Sequence, residues 1–321
     1  MTKGAIEDKL SALGQVKAQG KAHSLELVGK LIADRSSSVV AKAAKAASDI
    51  GAGELAPQLV QAFERFAKDG SQSDKGCHAK LAIVKALRLL NCGESEILAR
   101  GVRYVQMEPF YGGVEDTAAP LRVECAAALV EVGWRGVEIE LAQLLADPIA
   151  DARIGAARLL AQSGLPSAEP LLRLRALTGD TEGAAIQEYF VALLSLNPTG
   201  AVEFCSHFLD HRGGPRFEAA AIALGESRLE TAFAVLAQAV QKQHNAHCRQ
   251  VLFTSIALLR RNDAMDYLLS AIAKEPEPMA VDAVEALAIY DRDEQLVRRI
   301  RQAVAHRGSV KLRQAAEKAF G

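Results

Sequence analysis

The sequence predicts an all-α protein, a right-handed α-solenoid of stacked antiparallel helix pairs occupying residues 1–321, and three observations carry that prediction. Half of the residues are apolar but only 5% are aromatic, and Ala and Leu prevail, which suits closely packed helices better than a sheet. One pattern, R/K-x-x-A-A-x-A-L-x-x-G in its fullest form, recurs along the chain and aligns on itself without internal gaps. Within each copy small and apolar residues fall at i, i+3, i+4 and i+7, the spacing of a single buried helix face.

The copies run in order as VAKAAKAASDIG (40–51), KLAIVKALRLLN (80–91), RVECAAALVEVG (122–133), RIGAARLLAQSG (153–164), IQEYFVALLSLN (186–197), RFEAAAIALGES (216–227), RQVLFTSIALLR (249–260) and MAVDAVEALAIY (279–290). A degenerate ninth, VKLRQAAEKAFG, occupies 310–321. Successive starts lie 40, 42, 31, 33, 30, 33, 30 and 31 residues apart. Between copies stand a turn and a second apolar helix, such as VEIELAQLLADP (137–148) or PSAEPLLRLRALTGD (166–180). Asp147-Pro148 and Gly179-Asp180 punctuate those helices, because the residue before proline leaves the helical region and glycine accepts the left-handed turn that ends a helix. A helix pair of about 30 residues cannot bury its own apolar face, so about nine pairs must stack on one another. The cations Arg298, Arg299, Arg301, Arg307, Lys311 and Arg313 would then form a polar cap over the last pair, near 298–321.

The block LLADPIADARIGAARLLAQSGLPSAEPLLRL (144–174), with Asp147-Pro148, Arg153, the Ala156-Ala157 pair and the closing Gly164, resembles the HEAT-repeat (armadillo-like) family. The likeness is to its short bacterial form, also seen in phycobilin lyase-like proteins. It covers roughly residues 25 to 321 and is best over 120 to 230. It implies the solenoid and leaves the activity open, since such folds serve scaffolds, transport factors, lyase subunits and DNA glycosylases.

Composition and motif searches exclude several classes. Lys plus Arg number 38 against 39 for Asp plus Glu, so net charge gives no reason to expect a polyanionic partner. The distribution is uneven: residues 1–100 carry 15 basic and 11 acidic side chains, 101–235 carry 10 and 18, and 236–321 carry 13 and 10. Cys77, Cys92, Cys125, Cys205 and Cys248 form no CxxC pair and read as buried reduced thiols. No signal-like apolar core stands near residue 1 and no 18-residue apolar run occurs, so a cytoplasmic protein without a membrane span is expected. His207 and His211 at i, i+4, and the group His244, His247 and Cys248, are the nearest approach to a metal-ligand pattern; they read as helix-end and surface histidines. No nucleophile elbow or phosphate loop is present, and neither metal nor cofactor is expected.

Information in an array concentrates where the period breaks. The first long spacing contains AKDGSQSDKG (67–76), which reads as a solvated loop without an apolar anchor. The second contains QMEPFYGGVEDT (106–117), followed by Arg122 and, after Gly133, by Trp134, the sole tryptophan. Two readings stand. As a recognition loop on a rigid scaffold, Phe110 and Tyr111 would project beside Trp134 on one edge, and Glu108, Glu115, Asp116, Glu124 and Glu131 would make an acidic surface for a cationic partner. As a structural turn, the two aromatics would cover a helix edge, Gly112-Gly113 would reverse the chain, and Asp116 or Thr117 would cap the next helix. Asp116 or Glu115 would in that case hold Arg122 as an internal pair.

The function expected is that of a non-enzymatic scaffold or adaptor binding another protein, one with a basic patch, through the concave second-helix face and the 106–117 loop. Its binding residues are Phe110, Tyr111, Glu115, Asp116, Arg122 and Trp134. The rival is a nucleic-acid-binding or DNA-glycosylase-like protein of the same family, or a lyase-like subunit. Its basic face would be built from Lys42, Lys45, Lys80, Lys85, Arg88, Arg122, Arg153, Arg158, Arg249 and Arg313, a series interrupted by Glu124, Glu131, Glu188 and Glu218. Those interruptions weaken the electrostatic attraction that dominates non-specific nucleic-acid affinity, so nucleic acid is not the expected partner.

Overall fold

The computed structural model describes residues 3–14, 21–209 and 213–321. The described chain is helical apart from one two-stranded hairpin, and it divides into two compact units, Met1–Leu159 and Leu160–Gly321. The first unit holds α1 (Lys3–Gly14), α2 (Lys21–Ile32), α3 (Ser37–Asp49), α4 (Ala56–Asp69), α5 (His78–Leu89), α6 (Ser95–Gly101), β1 (Met107–Phe110), β2 (Gly113–Asp116), α7 (Ala119–Glu131) and α8 (Val137–Leu144). Helix α9 (Ala150–Ser163) runs across the division. The second unit holds α10 (Ala168–Thr178), α11 (Gly183–Leu196), α12 (Pro198–Ser206), α13 (Pro215–Ser227), α14 (Glu230–Lys242), α15 (Ala246–Leu258), α16 (Asn262–Lys274), α17 (Glu277–Ala286), α18 (Glu294–Arg307) and α19 (Val310–Phe320).

The nine repeated segments fall on α3, α5, α7, α9, α11, α13, α15, α17 and α19. Within the first unit α3 packs on α5 and α5 on α7, while α2, α4 and α6 each lie against the next of these. Within the second, α11, α13, α15, α17 and α19 pack in succession, each touching the helix that precedes it in sequence. The alanines of the pattern explain the close spacing, since Ala43, Ala44 and Ala47, like Ala220 and Ala221, are completely buried and let the neighbouring helix approach.

Gly225 of α13 marks the tightest crossing. A Cβ there would stand 2.3 Å from the carbonyl oxygen of Ser255 on α15, so only glycine fits. The stretch Gly225-Glu226-Ser227 is the last turn of α13, and the glycine serves packing. Gly225→Ala is expected to cost about 1–3 kcal/mol by forcing the two backbones apart. A calorimetric melting temperature equal to the parent's would refute that account.

Both long spacings depart from expectation. Residues 67–76 are not a solvated loop: they form the end of α4 and two 3₁₀ turns, Gly70–Gln72 and Lys75–Cys77, anchored by a wholly buried Asp74. Residues 106–117 form the hairpin β1-β2 in place of an irregular loop. Pro109 sits within β1 without breaking it. The Thr117 N–H donates to the Gln106 carbonyl, which makes 106/117, 108/115 and 110/113 the bonded pairs. Pro109, opposite Val114, therefore occupies a position whose N–H would face away from β2, and its missing donor costs no ladder bond.

Candidate functional site

The hairpin is held by buried polar groups supplied largely by the first insertion. Asp74 accepts hydrogen bonds from the backbone N–H groups of Ala79 (2.9 Å) and Lys80 (3.0 Å) at the start of α5, and its carboxylate pairs with Lys80 Nζ at 3.0 Å with both side chains fully buried. The same ammonium lies 5.4 Å from the centre of the Tyr104 ring, within cation–π range. Gln106 Nε2 donates to the Asp74 carbonyl at 2.9 Å and to Glu108 Oε1 at 2.5 Å. Glu108 Oε1 also receives the Gly76 N–H at 2.7 Å and the Thr117 hydroxyl at 2.9 Å. Burial opposes ionisation of Glu108, but those three donors and the nearby Lys80 charge outweigh it and hold its pKa below the ordinary value. The two interruptions of the array thus brace each other.

A second knot lies at the base of β2. Arg122, in the first turn of α7, donates from Nη1 to Asp116 Oδ2 (2.7 Å) and to the Tyr104 carbonyl (3.0 Å). Its Nε and Nη2 engage Asp147 in a fork at 2.8 and 2.9 Å. Asp116 Oδ1 receives the N–H groups of Gln106 (3.1 Å) and Ala118 (3.0 Å). Burial disfavours the Asp116 carboxylate, yet its hydrogen bonds from Ala118, Gln106 and Arg122 and the guanidinium charge hold its pKa below the ordinary value. Arg122 is likewise penalised by burial, and its hydrogen bonds and the charges of Asp147 and Asp116 more than restore it, raising its pKa.

Between the hairpin and the end of α8 opens a groove of about 620 Å³, within the range of ligand-holding clefts. Its apolar walls are Val102, Val105, Met107, Phe110 and Val114 on one side and Leu144, Pro148 and Ile149 on the other. Arg103, Arg122, Glu115, Asp116, Glu140, Gln143 and Asp147 complete the lining. Val105, Met107, Phe110 and Val114 are all more than half exposed. Arg103 is itself exposed but grips the buried Glu140 with both edges of its guanidinium, Nε to Oε2 at 3.0 Å.

Phe110, Glu115, Asp116 and Arg122 come together at this groove. The Phe110 ring, 55% exposed, lies across the strand pair, 3.5 Å from where a Cβ on Gly113 would be. Tyr111 stands fully exposed at the hairpin tip, beside Gly112, whose φ of +102° favours glycine. The aromatics therefore point outward and cover no helix edge. Trp134 is placed elsewhere: it follows the far end of α7, half-buried, with its ring against Gly136. It is not among the residues that line the groove.

The expected acidic surface is also corrected. Glu108 and Asp116 are turned into the two knots, and Glu124 and Glu131 pair with Arg88 at 2.6 and 2.7 Å; Glu115 remains exposed. Part of the expected basic face is consumed in the same way. Lys80, Arg122 and Arg153 are buried, Arg153 donating to the carbonyls of Asp147 and Pro148. Arg249 pairs with Asp282 at 2.6 Å and Lys42 donates to the Leu10 carbonyl.

His247 contacts Glu218 at 3.0 Å, and His211 lies outside the described residues. Among the described residues no group of three or more His, Cys, Asp or Glu is arranged to hold a metal ion, and no helix is long and apolar enough to cross a membrane. Burial pushes the Cys77 thiol up to about 11 and the Cys205 thiol up to about 12, so both are protonated and poorly nucleophilic at neutral pH. The groove residues not anticipated as binding residues include Arg103, Val105, Met107, Val114, Glu140, Gln143 and Asp147, with Val102, Leu144, Pro148 and Ile149 of the apolar walls. Asp147 had a visible local signal only as helix punctuation, and nothing linear ties it to Arg122, 25 residues earlier.

The chain matches no protein-family model, and no curated protein is significantly similar to it in sequence.

Proposed function

We propose that this protein is a non-enzymatic scaffold or adaptor, built in each unit from stacked HEAT-like helix pairs, that holds another protein at the hairpin and its groove. The carrying observation is an exposed set of apolar side chains, Met107, Phe110, Tyr111 and Val114, on a hairpin whose polar groups are tied down from beneath by Asp74, Gln106 and Arg122. Apolar surface kept in water on a braced support is what a recognition site requires, because little ordering remains to be done on binding. The successive packing of α3, α5 and α7, and of α11 through α19, supports the stacked-pair architecture. Against the nucleic-acid rival stand Lys80, Arg88, Arg122 and Arg249, whose charges are already paired with carboxylates within the fold and are therefore less available to a phosphate backbone.

The test is capture from a native extract with quantitative mass spectrometry, comparing the parent chain with Phe110→Ala/Tyr111→Ala. The double variant is expected to lose a specific partner while its melting temperature changes little, since exposed substitutions typically shift stability by about 0.5 kcal/mol or less. A large drop in melting temperature with an unchanged set of captured proteins would show that the aromatics are structural.

A further inference from the structure

Granted the protein-binding reading above, on which this step rests, we propose that the groove selects a short segment carrying an apolar side chain beside an arginine or lysine, and that Glu115 recognises the cation. The lining contains two guanidiniums, Arg103 and Arg122, against four carboxylates, Glu115, Asp116, Glu140 and Asp147. Arg103 and Glu140 neutralise each other. Arg122 is divided between Asp116 and Asp147, and the buried Arg153 donates to the carbonyl oxygens of Asp147 and Pro148 beside them, so the charges of the floor are committed within the fold. Glu115 stands as a negative charge at the exposed rim, beside the apolar walls. The apolar walls need an apolar occupant, and the field above them needs a positive one. An acidic residue in the segment meets like charge from Glu115 at the rim, which is how an interface rejects wrong partners.

The discriminating experiment pans a random dodecapeptide display library on the full chain and retains clones whose binding is lost on Met107→Ser/Val114→Ser, a pair of substitutions at exposed positions. Synthetic peptides from those clones are then measured by fluorescence anisotropy against the parent, Glu115→Gln and Glu115→Lys. The expected consensus sets a basic residue next to an apolar one. Loss of the rim charge in Glu115→Gln is expected to weaken binding roughly fivefold, and charge reversal about tenfold or more, with parent affinity falling as salt rises. Groove-dependent clones lacking a basic residue, or equal affinity for parent and Glu115→Lys, would overturn the cation assignment while leaving the protein-binding site intact. An absence of any groove-dependent clone would remove both. A concentration-dependent dimer in sedimentation that disappears in Met107→Ser/Val114→Ser would assign the groove to a second copy of the chain and overturn the proposal as well.

Discussion

Arg122→Met should destabilise the unit containing residues 1–159 by about 3–5 kcal/mol, because it strands Asp116 and Asp147 as buried carboxylates with no cation between them. For a unit of this size that corresponds to a melting temperature lower by on the order of 10 °C. The pH dependence separates charge from packing. In the parent, the depressed pKa of Asp116 means its contribution is fully present above its unfolded value, near 3.8, and is lost only as pH falls through the lower folded value. In the variant the sign reverses: the two carboxylates disfavour ionisation, so folding takes up a proton and the variant gains stability relative to the parent as pH falls from 7 toward 5. Chemical denaturation at several pH values reads this directly. A deficit that stays constant over that range would mean that Arg122 matters for its volume and not for its charge. Because Asp116 also fixes the backbone at Gln106 and Ala118, the hairpin's amide protection should fall together with stability.

Lys80→Met is the second large effect, again about 3–5 kcal/mol, since it leaves the fully enclosed Asp74 carboxyl without its cation. Asp74→Asn alone should cost a similar amount by leaving the ammonium of Lys80 without its counter-charge. The double variant Asp74→Asn/Lys80→Met should lose clearly less than the sum, because neither charge is then buried alone. Urea midpoints of the four proteins measure the coupling, and strict additivity would show that the pair is not acting as a pair. The consequence for function is indirect. Asp74 presents its carbonyl to Gln106, and Gln106 in turn holds Glu108, so Lys80→Met should loosen the hairpin and weaken partner capture although Lys80 does not line the groove.

The helices were legible in the sequence because their cause is local. An Ala/Leu face repeated at i, i+3, i+4 and i+7 specifies a buried helix wherever it occurs, and all nine segments from 40–51 to 310–321 fall on helices. The unusual character of 106–117 was legible too, since an interruption of a regular period stands out without knowledge of what it packs on. The strands within it were not. Met107-Glu108-Pro109-Phe110 and Gly113-Val114-Glu115-Asp116 lack the alternation and β-branched content that signal a strand, and the hairpin depends on donors and acceptors brought from residues 67–80.

The direction of the aromatics, out to solvent, was likewise decided by tertiary structure, as was the fate of most of the charges. The Arg122–Asp116 pair was legible as one reading of the sequence, whereas Asp74, Lys80 and Asp147 look there like ordinary surface or punctuation residues; Asp74 and Lys80 are six positions apart but become a pair by being enclosed together, and Asp147 meets Arg122 only through the approach of the end of α8 to α7. Sequence by itself determined which stretches are helical and where the array is interrupted, because both follow from contacts a few residues apart. The tertiary structure decided which way Phe110 and Tyr111 face, that a groove exists and, beyond the Arg122–Asp116 pair, which charges are neutralised, because pairs such as Arg122–Asp147 and Arg103–Glu140 join residues 25 and 37 positions apart that no local pattern links.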